Sequence, residues 1–318
     1  MKKAIRLYEK EFYRAEEFLE NNFSSPTHWT DWNILASRYF NTDFFYFAIE
    51  DDNEIIGICP VHSIKNKLNH RLVSGPKEFS IPYGGWIFSK LSRFEKSNLI
   101  MKENESFELF SLPLLNNFNV EYENYKLLKM YETAVIDLSR TEDDIWDSLP
   151  SQRRNKIRKA IKQNVKISDL SETGIDNFYD FYNLTNPAYG LKNLSKAFFE
   201  DLFSVQKNFK TDVLVASADS VLLGAVVIVS DKSYSIYWIG TRLESAPNNG
   251  YFDLLQWEAI KKAKQNGCSF YDLCYIEKDR LPNIYKFKTD YSRKVISVLN
   301  LIYKPLLFRA INKIQKLF

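Results

Sequence analysis

The feature that most constrains this chain is an order of elements that occurs twice. Phe45 to Val61, FYFAIEDDNEIIGICPV, predicts a β-strand, a polar turn at Asp51 to Asn53 and a second strand interrupted by Gly57. Asp212 to Val229, DVLVASADSVLLGAVVIV, repeats that order, with Asp219-Ser220 in the turn and Gly224 where Gly57 stood. Ile55-Ile56-Gly57 falls on Leu222-Leu223-Gly224, 167 positions later and close to half of the 318 residues. Downstream, Ser80 to Trp86 (SIPYGGW) and Ala246 to Tyr251 (APNNGY) each place a glycine-containing turn before a helix-like segment. In the second copy Leu254, Leu255, Trp257, Ile260 and Ala263 fit a 3.6-residue period, and Gly267 is placed to stop that helix. A strand follows in both halves, from Phe107 to Leu112 and from Ser269 to Cys274. Repetition of strand, turn, strand, glycine turn, helix and strand predicts two α/β domains with mixed sheets, related by internal duplication.

With 45% hydrophobic and 26% charged residues the chain is globular, which excludes disorder, collagen and coiled coil. Forty-three Lys and Arg against forty Asp and Glu leave a formal charge of +3, so any anion-binding function must come from local clustering. Cys59, Cys268 and Cys274 are odd in number and lack a CxxC spacing, which argues against a disulfide framework or a zinc ribbon. The first twenty residues carry charge throughout with no apolar h-region, and the longest charge-free apolar stretch, Val221 to Val229, is too short to span a bilayer. The expectation is a cytoplasmic protein, at most peripheral to the inner face of a membrane.

The strongest charge feature is Ser151 to Lys166, SQRRNKIRKAIKQNVK, with seven basic residues and no acid. On a helix, Ile157, Ala160 and Ile161 make a narrow apolar stripe, and Arg154, Arg158 and Lys162, spaced i, i+4, i+8, line its edge. Such a helix either holds a phosphate-bearing partner or is simply a solvated basic face. Just before it, Ser139 or Thr141 is placed to cap a short helix.

Three spaced runs carry a resemblance: Arg154-Asn-Lys-Ile-Arg-Lys-Ala, then Tyr271-Asp272-Leu273, then Ile284-Tyr285-Lys286-Phe287-Lys288. Together they resemble the signature of the FemABX-like acyltransferase branch of the GNAT superfamily, over about Asp137 to Tyr291, and Gln256-Trp257-Glu258-Ala259-Ile260 is similar to that family's intervening helix. The resemblance implies two tandem GNAT-like domains, 1–138 and 139–292, that move an acyl or aminoacyl group onto an amine in cell-envelope or surface-polysaccharide synthesis. The donor it implies is acyl-CoA, such as acetyl-CoA, or aminoacyl-tRNA; the long helical arm of some tRNA-using members has no counterpart here. The acceptor is expected to be a nucleotide- or lipid-linked sugar or peptide, seated in the groove between the halves with its phosphates on Arg154 and Arg158. A non-enzymatic rival keeps the fold as a basic module binding nucleic acid or a membrane surface.

The resemblance also carries departures and roles. GNAT enzymes that bind acetyl-CoA have a glycine-rich loop before the helix; here the candidate is Pro247-Asn248-Asn249-Gly250, with one glycine, leaving Asn249 and Gly250 as donor-binding candidates. In the first half Tyr83-Gly84-Gly85 either lines a substrate cleft or makes a tight turn. Asp272, near the end of a predicted strand, is a general base, an amine-positioning carboxylate or a cap for the following loop. Lys288 resembles the family lysine that steadies developing negative charge, or is an ordinary surface lysine; its neighbours Lys286 and Tyr285 could trade places with it, and Tyr285 and Phe287 are the candidate substrate contacts. His28, His62 and His70 have no metal-ligand spacing and read as turn or surface histidines, so no metal is expected. Cys268 and Cys274 read as small hydrophobes. Residues 293–318 read as a basic amphipathic tail that either packs as a helix on the second domain or docks on anionic lipid.

Overall fold

The computed structural model describes residues 2–66, 69–76, 81–89, 106–114, 125–186, 193–205, 207–247, 249–292 and 294–303. The chain divides into two compact units, one made of residues 1–132 and 296–318 and the other of residues 133–295.

The first unit opens with β1 (Lys3–Leu7), α1 (Phe12–Asn21) and α2 (Thr30–Phe40). The hairpin β2 (Asp43–Asp51) and β3 (Glu54–Asn66) follows, then β4 (Asn69–Ser74), β5 (Ile87–Phe88), β6 (Ser106–Phe110) and β7 (Tyr125–Asp137). In the second unit the order is α3 (Glu142–Ser148), α4 (Ser151–Lys162), β8 (Lys166–Asp169), α5 (Leu170–Thr173), α6 (Ile175–Thr185) and α7 (Lys196–Ser204). It continues through β9 (Lys210–Ala218), β10 (Val221–Ser230), β11 (Tyr234–Arg242), α8 (Tyr251–Gln265), β12 (Phe270–Asp272) and α9 (Pro282–Thr289), before β13 (Val295–Tyr303) ends the described chain.

Strand order makes the duplication visible. In the first unit it runs β1-β2-β3-β4-β6-β13, with β4 and β6 parallel and the other pairs antiparallel. In the second it runs β8-β9-β10-β11-β12-β7, again with one parallel pair, β11 and β12, in the corresponding place. The two hairpins match residue for residue. Asp52 and Asn53 have φ of 48° and 71°, and Asp219 and Ser220 have 48° and 65°, the left-handed pair that a two-residue turn needs to follow the strand twist. Each hairpin also carries one extra residue at the same place, Ile56 in β3 and Leu223 in β10, immediately before the glycine.

The periodicity around α8 holds: Leu254, Leu255, Trp257, Ile260 and Ala263 are all buried, and Gly267 closes the helix at φ 87°. On α4, Ile157 and Ala160 face inward as expected, whereas Ile161 is exposed and Arg153 is buried. Thr141 rather than Ser139 caps α3, its Oγ1 accepting from the Asp144 amide.

Three expectations change. The division between units falls inside β7, after Glu132, and a segment expected as tail completes the first unit. Val295–Tyr303 is a strand, paired with β6 through Asn300↔Phe110, Leu301↔Leu109, Ile302↔Glu108 and Tyr303↔Phe107, and it buries Val298 and Leu301. Its run VISVLNLIY is β-branched and apolar, which suits a pleated ladder better than an amphipathic helix; residues 304–318 lie outside the described residues. Finally, His28 and His62 are not surface groups but are 0% and 1% exposed. His28 Nδ1 lies 2.8 Å from Ser25 Oγ and its Nε2 lies 3.2 Å from the Gly85 carbonyl; His62 Nδ1 lies 2.9 Å from Thr42 Oγ1 and its Nε2 lies 3.0 Å from Asn33 Oδ1. Burial holds their pKa values down at about 4 and about 3, so both are neutral rings serving a packed polar network.

Candidate active site

In the second unit the parallel ladder between β11 and β12 is three rungs long, Tyr234↔Phe270, Ser235↔Tyr271 and Ile236↔Asp272. Strand β12 ends there, and two residues on Cys274 turns the backbone to φ 60°. Strand β11 continues to Arg242 along β10, with Trp238 as an extra residue between Tyr237↔Ile228 and Ile239↔Val227. A parallel pair that parts at its carboxyl end leaves a fork, the place where sheets with parallel strands accept ligands.

Asp272 sits at the crotch of that fork and is fully buried. Thr133 Oγ1 donates to its Oδ1 at 2.5 Å, the Cys274 amide to the same oxygen at 2.7 Å, and the Tyr234 hydroxyl to Oδ2 at 2.5 Å. Burial and the adjacent carboxylate push the Tyr234 phenol well above its ordinary range, so it remains a donor. Asp272 thus ties β7, β11 and β12 together and caps the loop that follows.

Lys288 reaches the fork from α9. Its Nζ donates to the Cys274 carbonyl at 3.2 Å and stands 5.1 Å over the Tyr237 ring. Burial lowers its pKa, against the opposing pull of the Cys274 thiol and the Asp272 carboxylate. Beneath α8, Gln256 Nε2 donates to the Tyr271 hydroxyl, and burial raises the Tyr271 pKa well above its usual value. The fork therefore presents one ammonium backed by a fixed carboxylate, with tyrosines on one side.

The other candidates fall in different places. Arg154 Nη1 bonds Asp147 Oδ1 at 3.0 Å, and the Arg158 guanidinium lies 5.4 Å over the Trp146 ring, so both arginines are engaged by α3 of their own unit; Lys162 is exposed. Phe287 packs among Phe252, Tyr291 and the Arg153 guanidinium, while Tyr285 lies half-buried with Lys278 Nζ 5.1 Å over its ring. Lys286 pairs with Asp290 at 3.8 Å. In the first unit Tyr83 is fully buried, stacked on Phe110 at 6.2 Å, and the Gly84 amide donates to the Phe110 carbonyl. A Cβ on Gly84 would stand 2.5 Å from the Gly75 nitrogen, so the turn there serves close packing.

The donor-loop candidates are occupied by the protein itself. Asn249 Oδ1 accepts from the Tyr251 amide, satisfying one of the free donors at the start of α8. Gly250, at φ 88°, lies so close to α4 that a Cβ would collide with the Lys156 carbonyl. Asn248 lies outside the described residues. Among the described residues no cluster of His, Cys, Asp and Glu is arranged to hold a metal ion, and no helix is long and apolar enough to cross a membrane.

Sequence reasoning missed Arg153, although its signal was present: it precedes Ile157 by four and Ala160 by seven, on the apolar stripe itself. Its Nη1 donates to Asp253 Oδ1 at 2.8 Å and its Nη2 to Asp290 Oδ2 at 3.0 Å, joining α4 to α8 and to the residue that ends α9. Thr133 and Tyr234, which hold Asp272, were equally silent, because nothing local marks a hydroxyl as the partner of a carboxylate 139 or 38 positions away.

Comparison with known proteins bears on the fold and on the second unit. Residues 151–288 match the family model described as an acetyltransferase (GNAT) domain, a span lying within the second unit. The crystal structure of FemX aligns with a TM-score of 0.68 at 12% identity, covering 95% of this chain and 97% of that one. The C-terminal domain of a putative lysylphosphatidylglycerol synthetase from Agrobacterium fabrum gives 0.58 at 10% identity, covering 93% and 92%. A tandem GNAT protein from the clavulanic acid biosynthesis pathway gives 0.53 at 10% identity, covering 95% and 98%. No curated protein sequence matches. The second unit is thus an acyltransferase domain of the GNAT type. The two-unit fold of the whole chain is shared with FemX and with the tandem GNAT protein.

Proposed function

We propose that the chain is an N-acyltransferase that moves an acyl group from acyl-CoA to the amine of an amino sugar or peptide in a nucleotide- or lipid-linked cell-envelope precursor. The observation that carries this reading is the Lys288 ammonium held at the β11/β12 fork of a GNAT-type domain. Attack of a neutral amine on the donor carbonyl places negative charge on the carbonyl oxygen, and a cation fixed in a half-buried site stabilises that charge without reorganising. Asp272, with protein donors on both oxygens, serves this chemistry as the carboxylate that fixes the fork and sustains the charge on Lys288. The envelope setting is supported by the resemblance to the FemABX-like branch and by one structural neighbour named as a putative lysylphosphatidylglycerol synthetase, a name that joins an amino acid to a phospholipid.

A second reading, with aminoacyl-tRNA as donor, is favoured by one observation. The α8 entry is filled by Asn249 and by the Gly250–Lys156 contact, so it lacks the open glycine cradle that a CoA pyrophosphate uses. The experiment is a donor comparison on a panel of nucleotide amino sugars and peptide precursors. Thiol release from acetyl-CoA supports the first reading; transfer from charged tRNA with silence from acyl-CoA supports the second. Silence from both across the panel rejects the transferase proposal.

A further inference from the structure

Helix α9 carries Lys288 but contains no fully buried residue, so its hold on the domain comes from a few side chains. Phe287 lies 5.6 Å from the Phe252 ring, and Lys288 bonds the Cys274 carbonyl. Lys288 also stands over the Tyr237 ring and Tyr285 under Lys278, and a further group of contacts converges on Arg153. Its guanidinium stands 4.6 Å from the Phe287 ring centroid and 5.5 Å from that of Tyr291, and it bonds Asp290 on one side and Asp253 on the other. The Tyr291 hydroxyl donates to the same Asp253 oxygen at 3.0 Å, closing the ring of contacts. Residues 287, 290 and 291 bracket Lys288 in sequence, so whatever fixes them fixes the origin of its side chain.

We propose that Arg153 is the positioning residue for Lys288: anchored on α8 through Asp253, its guanidinium holds α9 at the angle that keeps the Lys288 ammonium at the fork. Only the consequence for turnover rests on the transferase reading; the positioning itself does not. An arginine is required because one planar fork must serve carboxylates from two directions and stack on aromatic rings at once, which a lysine ammonium cannot reproduce. The same geometry explains a buried cation on the inner stripe of an otherwise solvent-facing basic helix.

The test is competitive acetylation of the whole chain with acetic anhydride over a pH series, reading Lys288 by mass spectrometry. Lys162, exposed at the end of α4 and away from α9, is the internal reference. Arg153→Ala strips the cation from two carboxylates and endangers folding, so Arg153→Lys and Asp290→Asn are used, each with folding verified by circular dichroism. The charged and titratable groups facing Lys288 are Asp272 on β12, Cys274 after it, Tyr237 on β11, and Lys286 and Asp290 beside it. Arg153→Lys alters none of them and conserves charge. Asp290→Asn removes a nearby negative charge, and by direct electrostatics alone would lower the Lys288 pKa. Release of α9 into water does the opposite. The expected result is an upward move of the Lys288 titration toward the ordinary lysine range in both variants, with kcat falling by about tenfold or more and the acceptor KM little changed. An unmoved Lys288 profile in Arg153→Lys, or a downward move in Asp290→Asn, overturns the proposal. A parent chain without transferase activity but with the upward moves overturns the functional reading and leaves the positioning intact.

Discussion

Lys288 is pulled two ways at the fork. Burial lowers its pKa, and the Asp272 carboxylate opposes that fall. The ammonium is the form that steadies an oxyanion, so catalysis is lost as pH rises through the lowered pKa, earlier than for a surface lysine. The alkaline limb of kcat/KM is therefore expected below the ordinary lysine range. Lys288→Arg, which stays charged, should abolish that limb, and Lys288→Ala should cost about 100-fold in kcat; a limb of unchanged position in the arginine variant excludes Lys288 as its origin. Asp272→Asn replaces an acceptor of three donors by an amide with two donors of its own. At least one of the Thr133, Tyr234 and Cys274 donors then loses its acceptor, a loss of about 1–3 kcal/mol in urea unfolding. An unfolding midpoint equal to the parent's would show that the carboxylate is not what ties the strands. The place of Asp272 at the end of a strand was legible because the run from Ser269 to Cys274 patterns locally as one. Arg153 was overlooked because its charge made the apolar stripe look one residue narrower than it is, and the buried histidines because their partners are backbone carbonyls, hydroxyls and an amide, which no spacing rule marks.

The hairpins were the most legible elements, since alternation and a two-residue polar turn are local signals. The structure adds what the letters could not state, that both turn residues are left-handed in each copy. Asn tolerates that region and Ser does so less well, so the second copy holds the poorer pair. Ser220→Gly should therefore stabilise the second unit by roughly 0.5 kcal/mol, the relief at positive φ outweighing the entropy lost by glycine. The change is read as a higher urea midpoint at unchanged slope; an unchanged or lower midpoint shows that the turn carries no strain worth relieving. Strand β13 was misread for the complementary reason. Its partner β6 lies far back in the chain, beyond the reach of local patterning, while the cations of residues 304–318 drew the whole stretch toward a helical reading.

At the scale of the molecule, the two units share a strand order but differ in which buried groups can take up protons. All three histidines of the sequence, at positions 28, 62 and 70, belong to the first unit, and two of them are buried as neutral rings. A histidine whose folded pKa is depressed contributes stability that is complete above its unfolded value of 6.5 and is lost as pH falls toward the folded value. For His28, with a folded value of about 4, the linked loss approaches about 3 kcal/mol, because each pH step between the two values is worth about 1.36 kcal/mol. His62, at about 3, loses a similar amount over the same interval and more below it. The combined penalty by pH 4, about 6 kcal/mol, is comparable to the whole stability of an ordinary domain. Amide exchange across pH 7 to 4 should therefore show β2, β3 and α2 losing protection before β9, β10 and α8. In His28→Gln, which keeps an acceptor and a donor but cannot titrate there, the loss should move to lower pH. Simultaneous opening of both units, or an acid midpoint that the substitution leaves in place, would mean that carboxylate protonation elsewhere, and not the buried imidazoles, sets the acid limit of this fold.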